Sequence, residues 1–375
     1  MMIRATEAAI DLGAIRHNLG VVRRAAPGQK VCAVVKANAY GHGLVEVSRA
    51  LEAYGADWLA VALVEEGVLL REAGVRAPIL VLGGAVNRGF AEMVEHTLVP
   101  VLFDVDQIPR LAAAAGGRRI AFHLKIDSGM YRLGVLPAEL ASFLAALAKY
   151  PNLDLDGLCT HFARADTTQD RGSVAEQLAC FKAAHAQLLR AGHTPHLLHV
   201  ANSSATLLES AAHVGMVRPG LVLYGLDPRG PEHARDLRPA MRWTTRPVRI
   251  CDVPAGGRVS YGGHWTAARP SRIATLPVGY ADGYVRALSG KAQVLVRGRR
   301  APVVGTICMD LCMIDVTDIS GVSLADEVVL MGAQGSQEIP AYELARWADT
   351  IPYEITCGVS DRVPRRHTSE AEAQE

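Results

Sequence analysis

Hydrophobic positions alternate between two textures over residues 1–233. Short runs of β-branched and small apolar residues end in polar residues or glycine: "KVCAVVKANAYG", "WLAVALVEEG", "APILVLGG", "LVPVLFD", "RIAFHLKIDSG", "LDGLCTHFARAD", "PHLLHVANSS" and "GLVLYG". Between them lie alanine- and leucine-rich stretches with apolar residues at helical spacing, such as "LVEVSRALEAYG", "PAELASFLAALAKY" and "AEQLACFKAAHAQLLRAG". Strands separated by helices predict a parallel sheet. Eight such units predict an α/β fold with an N-terminal (β/α)8 TIM-like barrel. A doubly wound open sheet has the same rhythm, but no G-x-G-x-x-G follows the first of these strands.

The rhythm changes from residue 234. "RPAMRWTTRPVRICDVPAGGRVSYGG", "PSRIATLPVGYADGY", "KAQVLVRGRRAPVVGTICMDLCMIDVTD" and "ADEVVLMG" read as short strands joined by turns. They predict a mostly β domain over 234–368, with a short helix at "PAYELARWADT" before the last strand. The first strand of the chain can pair with this domain. The polar stretch 369–375 reads as a disordered tail.

Composition narrows the function classes. The 375 residues carry a formal net charge of +1, which sets up no field to gather nucleic acid or an anionic membrane. Apolar runs such as "LASFLAALAKY" stop well short of the ~20 residues of a membrane helix. "MMIRATEAAIDLGAIRHN" lacks the apolar core of a signal peptide, so a cytoplasmic protein is expected. The seven cysteines are scattered except for Cys308 and Cys312, and no histidine or cysteine cluster accompanies that pair. Free thiols are expected, and no metal site.

Barrels of this kind carry their active sites at the C-terminal ends of the strands. Here those ends bring Lys36 with Tyr40, Lys125 with Asp127, His161, Asn202 with Ser203, and the run from Arg218 to Tyr224. Such a convergence favours an enzyme. Lys36 suits a Schiff-base nucleophile if burial or nearby cations lower its pKa; otherwise it snorkels out of the barrel mouth. In "LKIDSGMYRLG", Arg132 beside Lys125 can grip a carboxylate with two parallel hydrogen bonds, or form a surface ion pair with Asp127. His161 is either a hydrogen-bond relay or a structural residue. Ser203, Gly220 and the Leu221 amide suit a phosphate, and ordinary turn chemistry is the alternative. In the β domain, Tyr261, Tyr280, Met309 and Asp310 read as either core or site residues.

These stretches together resemble the alanine racemases, pyridoxal-phosphate (PLP) enzymes of fold type III. The likeness runs through "AAIDLGAIRHN", "AVVKANAYGHG", "KIDSGMYRLG", "THFARAD", "NSSAT", "MVRPGLVLYG", "VSYGGHWTA", "LPVGYADGY", "GTICMD" and "YEITCGVSDRVPR", nearly the whole chain. The resemblance implies interconversion of L-alanine and D-alanine, supplying D-alanine for peptidoglycan. It implies that Lys36 carries PLP as a Schiff base and serves as one base. Tyr261, from the other subunit of a homodimer with shared active sites, would be the second base on the opposite face. An unperturbed tyrosine ionises near 10, too high for an efficient base near neutrality, so a hydrogen-bonded chain Tyr261–His161–Arg218–pyridine nitrogen is implied beside it. Arg218 would leave the ring nitrogen unprotonated. The phosphate would rest on Tyr40, Ser203, Gly220, Leu221 and Tyr353. The substrate carboxylate would meet Arg132 and the Met309 amide, with Lys125, possible as a carbamate, steadying Arg132. Asp310 and Tyr280 would support the site, and Tyr261 and Tyr353 would narrow its entrance. Thr306 stands where many relatives carry arginine near the entrance, which bears on substrate breadth.

Three other functions fit parts of this pattern. A racemase of the same fold acting on serine or larger amino acids would be told apart by relative rates, since a fold does not set specificity. A PLP decarboxylase would want a stronger electron sink than Arg218 permits. A non-catalytic PLP carrier would not need the tyrosine of "VSYGG".

Overall fold

The computed structural model describes residues 4–85, 88–166 and 171–368; the tail expected to be disordered, 369–375, lies outside them. The described residues divide into two compact units, one drawn from 15–39 and 44–237, the other from 4–14, 40–43 and 238–368.

Parallel strands β2 (Lys30–Val34), β3 (Trp58–Val61), β4 (Ile79–Val81), β5 (Val99–Leu102), β6 (Ile120–Lys125), β7 (Leu153–Cys159), β8 (Leu197–His199) and β9 (Met216–Val217) build the first unit; β1 (Glu7–Asp11) belongs to the other. Each strand pairs with the next from β2 to β8, and β9 pairs back with β2. The Arg218 N–H donates to the Ala201 carbonyl (2.9 Å), tying the ends of β8 and β9 across the seam. Helices Leu44–Ala53, Val64–Glu72, Gln107–Ala115, Leu140–Leu147 and Arg171–Arg190 fall between the strands, as the helical spacing predicts. β3, β4 and β5 are buried on nearly every residue because a barrel strand is covered on both faces.

The eighth strand is not where the sequence put it. "GLVLYG" forms a tight helical turn, Leu221–Tyr224, and the strand is the two-residue β9 before it. All four residues of that turn are buried, so no polar face reveals its period.

In the second unit β1 lies between β10 (Met241–Thr245), to which it is antiparallel, and Arg365–Thr368, to which it is parallel. The two ends of the chain therefore share one sheet, which continues through Val328–Gln334, Gln293–Val296, Arg299–Val304, Cys312–Asp315, Ser271–Leu276 and Arg249–Val253. The helix Ala341–Ala348 appears as expected, and a second one, Pro352–Gly358, follows it and carries Tyr353. Among the described residues no helix is long and apolar enough to cross a membrane.

Candidate active site

Lys36 follows β2 and opens an unusual turn. Ala37, Asn38, Ala39 and Tyr40 all have φ between 52° and 54°, so the chain makes a left-handed helical turn without a glycine. Such a conformation costs about 1–2 kcal/mol per residue for L-amino acids. Specific bonds offset part of that cost. The Ala37 N–H donates to Glu66 Oε1 (2.6 Å), and Glu66 Oε2 also accepts from the Ala62 and Leu63 amides (2.9 and 3.1 Å). Asn38, a residue that tolerates the left-handed region, accepts from the Leu44 amide through Oδ1 (2.8 Å).

Arg218 is buried at the end of β9. Its Nη1 donates to the His199 carbonyl (2.7 Å) and to His199 Nδ1 (2.8 Å). Its Nη2 donates to the Thr160 and Val200 carbonyls (2.7 and 3.3 Å) and lies 3.5 Å from His161 Nδ1. A buried guanidinium needs such acceptors, because a charge left without partners in the interior is very costly. Burial first, and then Arg218, Lys125, Arg132 and Lys36, hold His161 well below the usual histidine range, so its imidazole is neutral at pH 7. Burial likewise lowers Lys125, with Arg218 and Arg132 adding to the effect and Cys159 and Asp127 opposing it.

Asp127 does not form the ion pair considered for it. Its Oδ1 accepts from the Gly129, Met130 and Tyr131 amides (each 2.9 Å) and its Oδ2 from the Arg132 amide (3.0 Å). The carboxylate organises the loop that presents Arg132. Ser203 and Gly220 meet directly: the Ser203 hydroxyl accepts from the Gly220 N–H (2.9 Å). That leaves the serine its own hydrogen to donate, as an anionic oxygen would require.

In the β unit, the Tyr40 and Tyr353 rings lie 6.0 Å apart, tilted by 42°. The segment after Tyr40 is docked closely: a Cβ on Gly41 would fall 2.0 Å from the Thr356 carbonyl oxygen, and the Gly41 carbonyl accepts from Arg365 Nε (3.0 Å). Burial, with Tyr353 and Cys357 adding to it, raises the Tyr40 pKa, so Tyr40 stays a neutral O–H donor.

Tyr261 is 74% exposed, but its backbone is held. The Ser260 hydroxyl donates to the Thr306 carbonyl (2.6 Å), and the Thr306 hydroxyl donates back to the Tyr261 carbonyl (2.9 Å). Thr306 is therefore buried and occupied with fixing Tyr261. The Tyr280 and Ala281 amides donate to the Cys308 and Met309 carbonyls (both 3.0 Å). Gly279 permits that approach, since a Cβ there would meet the same two oxygens at 2.3 and 2.4 Å. Tyr261, Tyr280, Arg286, Thr306, Met309 and Asp310 line one cleft of ≈ 440 Å³. Asp310 is held by Arg362 Nη2 (2.7 Å).

The expected residues therefore assemble in groups. Arg218 joins His161, and Lys36, Lys125 and Arg132 act on the same imidazole; Ser203 joins Gly220 beside Leu221, and Tyr40 joins Tyr353. Tyr261, Tyr280, Met309 and Asp310 share the cleft. Four residues of this scaffold were not marked in the sequence. Glu66 and Arg286 sit in helical stretches without a local signature, Arg362 was present only within "SDRVPR", and His199 was visible as a polar residue ending an apolar strand.

Comparison with known proteins gives one result throughout. The family description "Alanine racemase, N-terminal domain" matches residues 10–228, and "Alanine racemase, C-terminal domain" matches 240–367. The chain is 47% identical over 372 residues to an alanine racemase of Symbiobacterium thermophilum, covering 98% of each chain. It is 44% identical over 376 residues to that of Sorangium cellulosum, covering 97% of this chain and 99% of the other. Among solved structures, alanine racemase from Bacillus anthracis with bound L-Ala-P superposes with a TM-score of 0.93 at 36% identity, covering 99% of this chain and 96% of that one. The enzyme of D-cycloserine-producing Streptomyces lavendulae superposes with a TM-score of 0.91 at 36% identity, over the full length of both chains.

Proposed function

The chain belongs to the alanine racemase family and racemises alanine, and from that premise we propose that it does so with two bases, Lys36 and Tyr261, on opposite faces of bound PLP. The observation that carries the proposal is the buried Arg218 guanidinium, whose Nη2 lies 3.5 Å from His161 Nδ1 at the same barrel end as the Ser203–Gly220 pair. Arg132 and Arg218 suit a ligand with a carboxylate and a ring nitrogen, and the Ser203–Gly220 pair offers a phosphate a hydroxyl hydrogen. The residues thus fit PLP.

Lys36 would hold the cofactor covalently, Arg218 its ring nitrogen, and Tyr40, Ser203, Gly220, Leu221 and Tyr353 its phosphate. When bound, the cofactor supplies the electron sink that lets the α-hydrogen of alanine leave as a proton. Lys36 takes or returns that proton on one side and Tyr261 on the other; inversion needs both. Arg218 keeps its own proton at any working pH, so a ring nitrogen facing it is hydrogen-bonded and not protonated. Arg218 would thereby favour return of the proton to the α-carbon. Arg132 and the Met309 amide orient the carboxylate. Lys125, whose lowered pKa leaves more neutral amine to react with carbon dioxide, would carry the carbamate that steadies Arg132. Tyr261 and Tyr353 restrict the entrance to a methyl side chain, with Tyr280 and Asp310 in support, and the two bases come from different subunits of a homodimer. D-alanine for peptidoglycan is the product.

Proton NMR of L-alanine with the PLP-loaded protein in deuterated water tests this reading. The α-proton signal should disappear while D-alanine accumulates in a chiral assay of the same sample. Exchange without D-alanine would mean that only one base works and would overturn the two-base reading. No exchange with alanine, but exchange with serine, would move the substrate and keep the mechanism.

A further inference from the structure

Two histidines that this mechanism does not use lie behind Arg218 inside the barrel. His199 ends β8 and His123 lies within β6, both fully buried. His199 Nδ1 is 2.8 Å from Arg218 Nη1, and His199 Nε2 is 2.7 Å from His123 Nδ1. His123 Nε2 faces Asp156 Oδ2 at 3.9 Å without a direct hydrogen bond, and Asp156 Oδ1 meets the exposed His196 (2.7 Å). The barrel makes room for this row. A Cβ on Gly157 would fall 2.4 Å from the His123 ring, and the β6–β7 register shifts between Phe122 and His123.

Arginine nitrogens only donate, so the direction of every bond in the row follows from its Arg218 end. His199 Nδ1 must be the bare acceptor, which leaves the hydrogen of a neutral His199 on Nε2. His123 Nδ1 must then accept, which puts the His123 hydrogen on Nε2, pointing toward the Asp156 carboxylate. A protonated His199 would aim an N–H at an arginine N–H across 2.8 Å. Electrostatics agree: burial first, with Arg218 adding to it, holds His199 well below the usual range, and burial brings His123 down to about 4 against the pull of Asp156.

The Nη1 and Nη2 hydrogens of Arg218 are engaged by His199, Thr160, Val200 and His161, and among the described residues these bonds leave only Nε–H uncommitted. We propose that His123 is a positioning residue for the racemase reaction: through His199 it fixes the rotation of Arg218 so that Nε–H faces the cofactor's ring nitrogen. This rests on the reading of the site above. Replacing His123 by an apolar ring would leave the His199 Nε2–H without its acceptor, freeing the His199 ring to turn and taking one side-chain acceptor from Arg218 Nη1, so that only backbone carbonyls would set the guanidinium's rotation.

The direct test is nitrogen NMR of the full-length, PLP-loaded protein carrying 15N-labelled histidine. His199 and His123 should both be neutral with the hydrogen on Nε2 at pH 7. A hydrogen on Nδ1 of either, or a charged ring, overturns the proposal. The second test compares H123F with H123Q, whose amide oxygen can still accept from His199. H123F should lower kcat roughly 10- to 100-fold with little change in KM and should shift the absorption of bound PLP, and H123Q should recover most of both. An H123F protein that folds and behaves like wild type overturns it, as does an H123Q no better than H123F. Should H123F not fold, the NMR result stands alone. The expected tautomers in a protein that fails to racemise alanine would sink the reading of the site and leave the row intact, so the two failures are distinguishable.

Discussion

The Asp127 carboxylate accepts four backbone hydrogen bonds and so fixes the loop that carries Arg132. Burial would raise its pKa, but the amides of Tyr131, Gly129, Met130 and Arg132 outweigh that and hold it below the usual carboxylate range. A carboxyl that titrates lower in the folded chain than in the unfolded one binds the fold better as an anion. Its contribution is complete above the unfolded value of about 4 and fades as pH falls through the folded value. We therefore expect D127N to cost about 1–3 kcal/mol at pH 7 in denaturant titrations and to lose part of the wild-type stability change below about pH 4. The alanine KM of D127N should rise, since Arg132 loses its fixed loop. Equal stability of the two proteins at pH 7 would rule this out. The sequence pointed to Arg132 but left Asp127 as a possible ion-pair partner. Residue type alone does not say whether a carboxylate will find a cation or a set of peptide N–H groups.

At the scale of elements, the left-handed turn after Lys36 is the feature least legible in the sequence. "KANAY" contains no glycine, and only Asn38 leans toward that conformation. The turn depends on Glu66, whose carboxylate joins the Ala37 amide to those of Ala62 and Leu63, bridging 29 positions of sequence in its bond to Ala37. Removing it leaves three amides without that acceptor; those of Ala37 and Leu63 lie at exposed residues where water can replace it, and the part-buried Ala62 amide carries the main cost, about 1–3 kcal/mol. E66A should lower the melting temperature, speed hydrogen exchange at residues 37–40, and weaken retention of PLP. E66Q, which keeps one carbonyl oxygen, should fall between E66A and wild type. Unchanged exchange at 37–40 in E66A would mean that the turn holds itself. The barrel strands were easier to see, since covering on both faces writes a continuous apolar run. The same property hid the true β9: "GLVLYG" is apolar on every side, and a buried turn and a buried strand then look alike.

At the scale of the molecule, the candidate residues fall in two units. Lys36, Lys125, Arg132, His161, Ser203 and Arg218 belong to the barrel unit, and Tyr40, Tyr261, Tyr280, Met309, Asp310 and Tyr353 to the β unit. The change of texture near residue 234 made the β unit visible, whereas the return of residues 40–43 to it left no trace in the pattern. The proposed dimer makes a quantitative demand on this division. Suppose each site takes Lys36 from one subunit and Tyr261 from the other. A heterodimer of K36A and Y261F chains then has one site lacking both bases and one site lacking neither. Random pairing makes half of the dimers mixed, so co-expression should restore about a quarter of wild-type activity from two nearly inactive parents. Affinity tags of two kinds, one on each chain, would isolate the mixed dimer, in which half of the sites should work. If both bases came from the same chain, every site in the mixed dimer would lack one of them, and activity would stay at the level of the parents. That result would leave racemisation of alanine in place and remove the shared site.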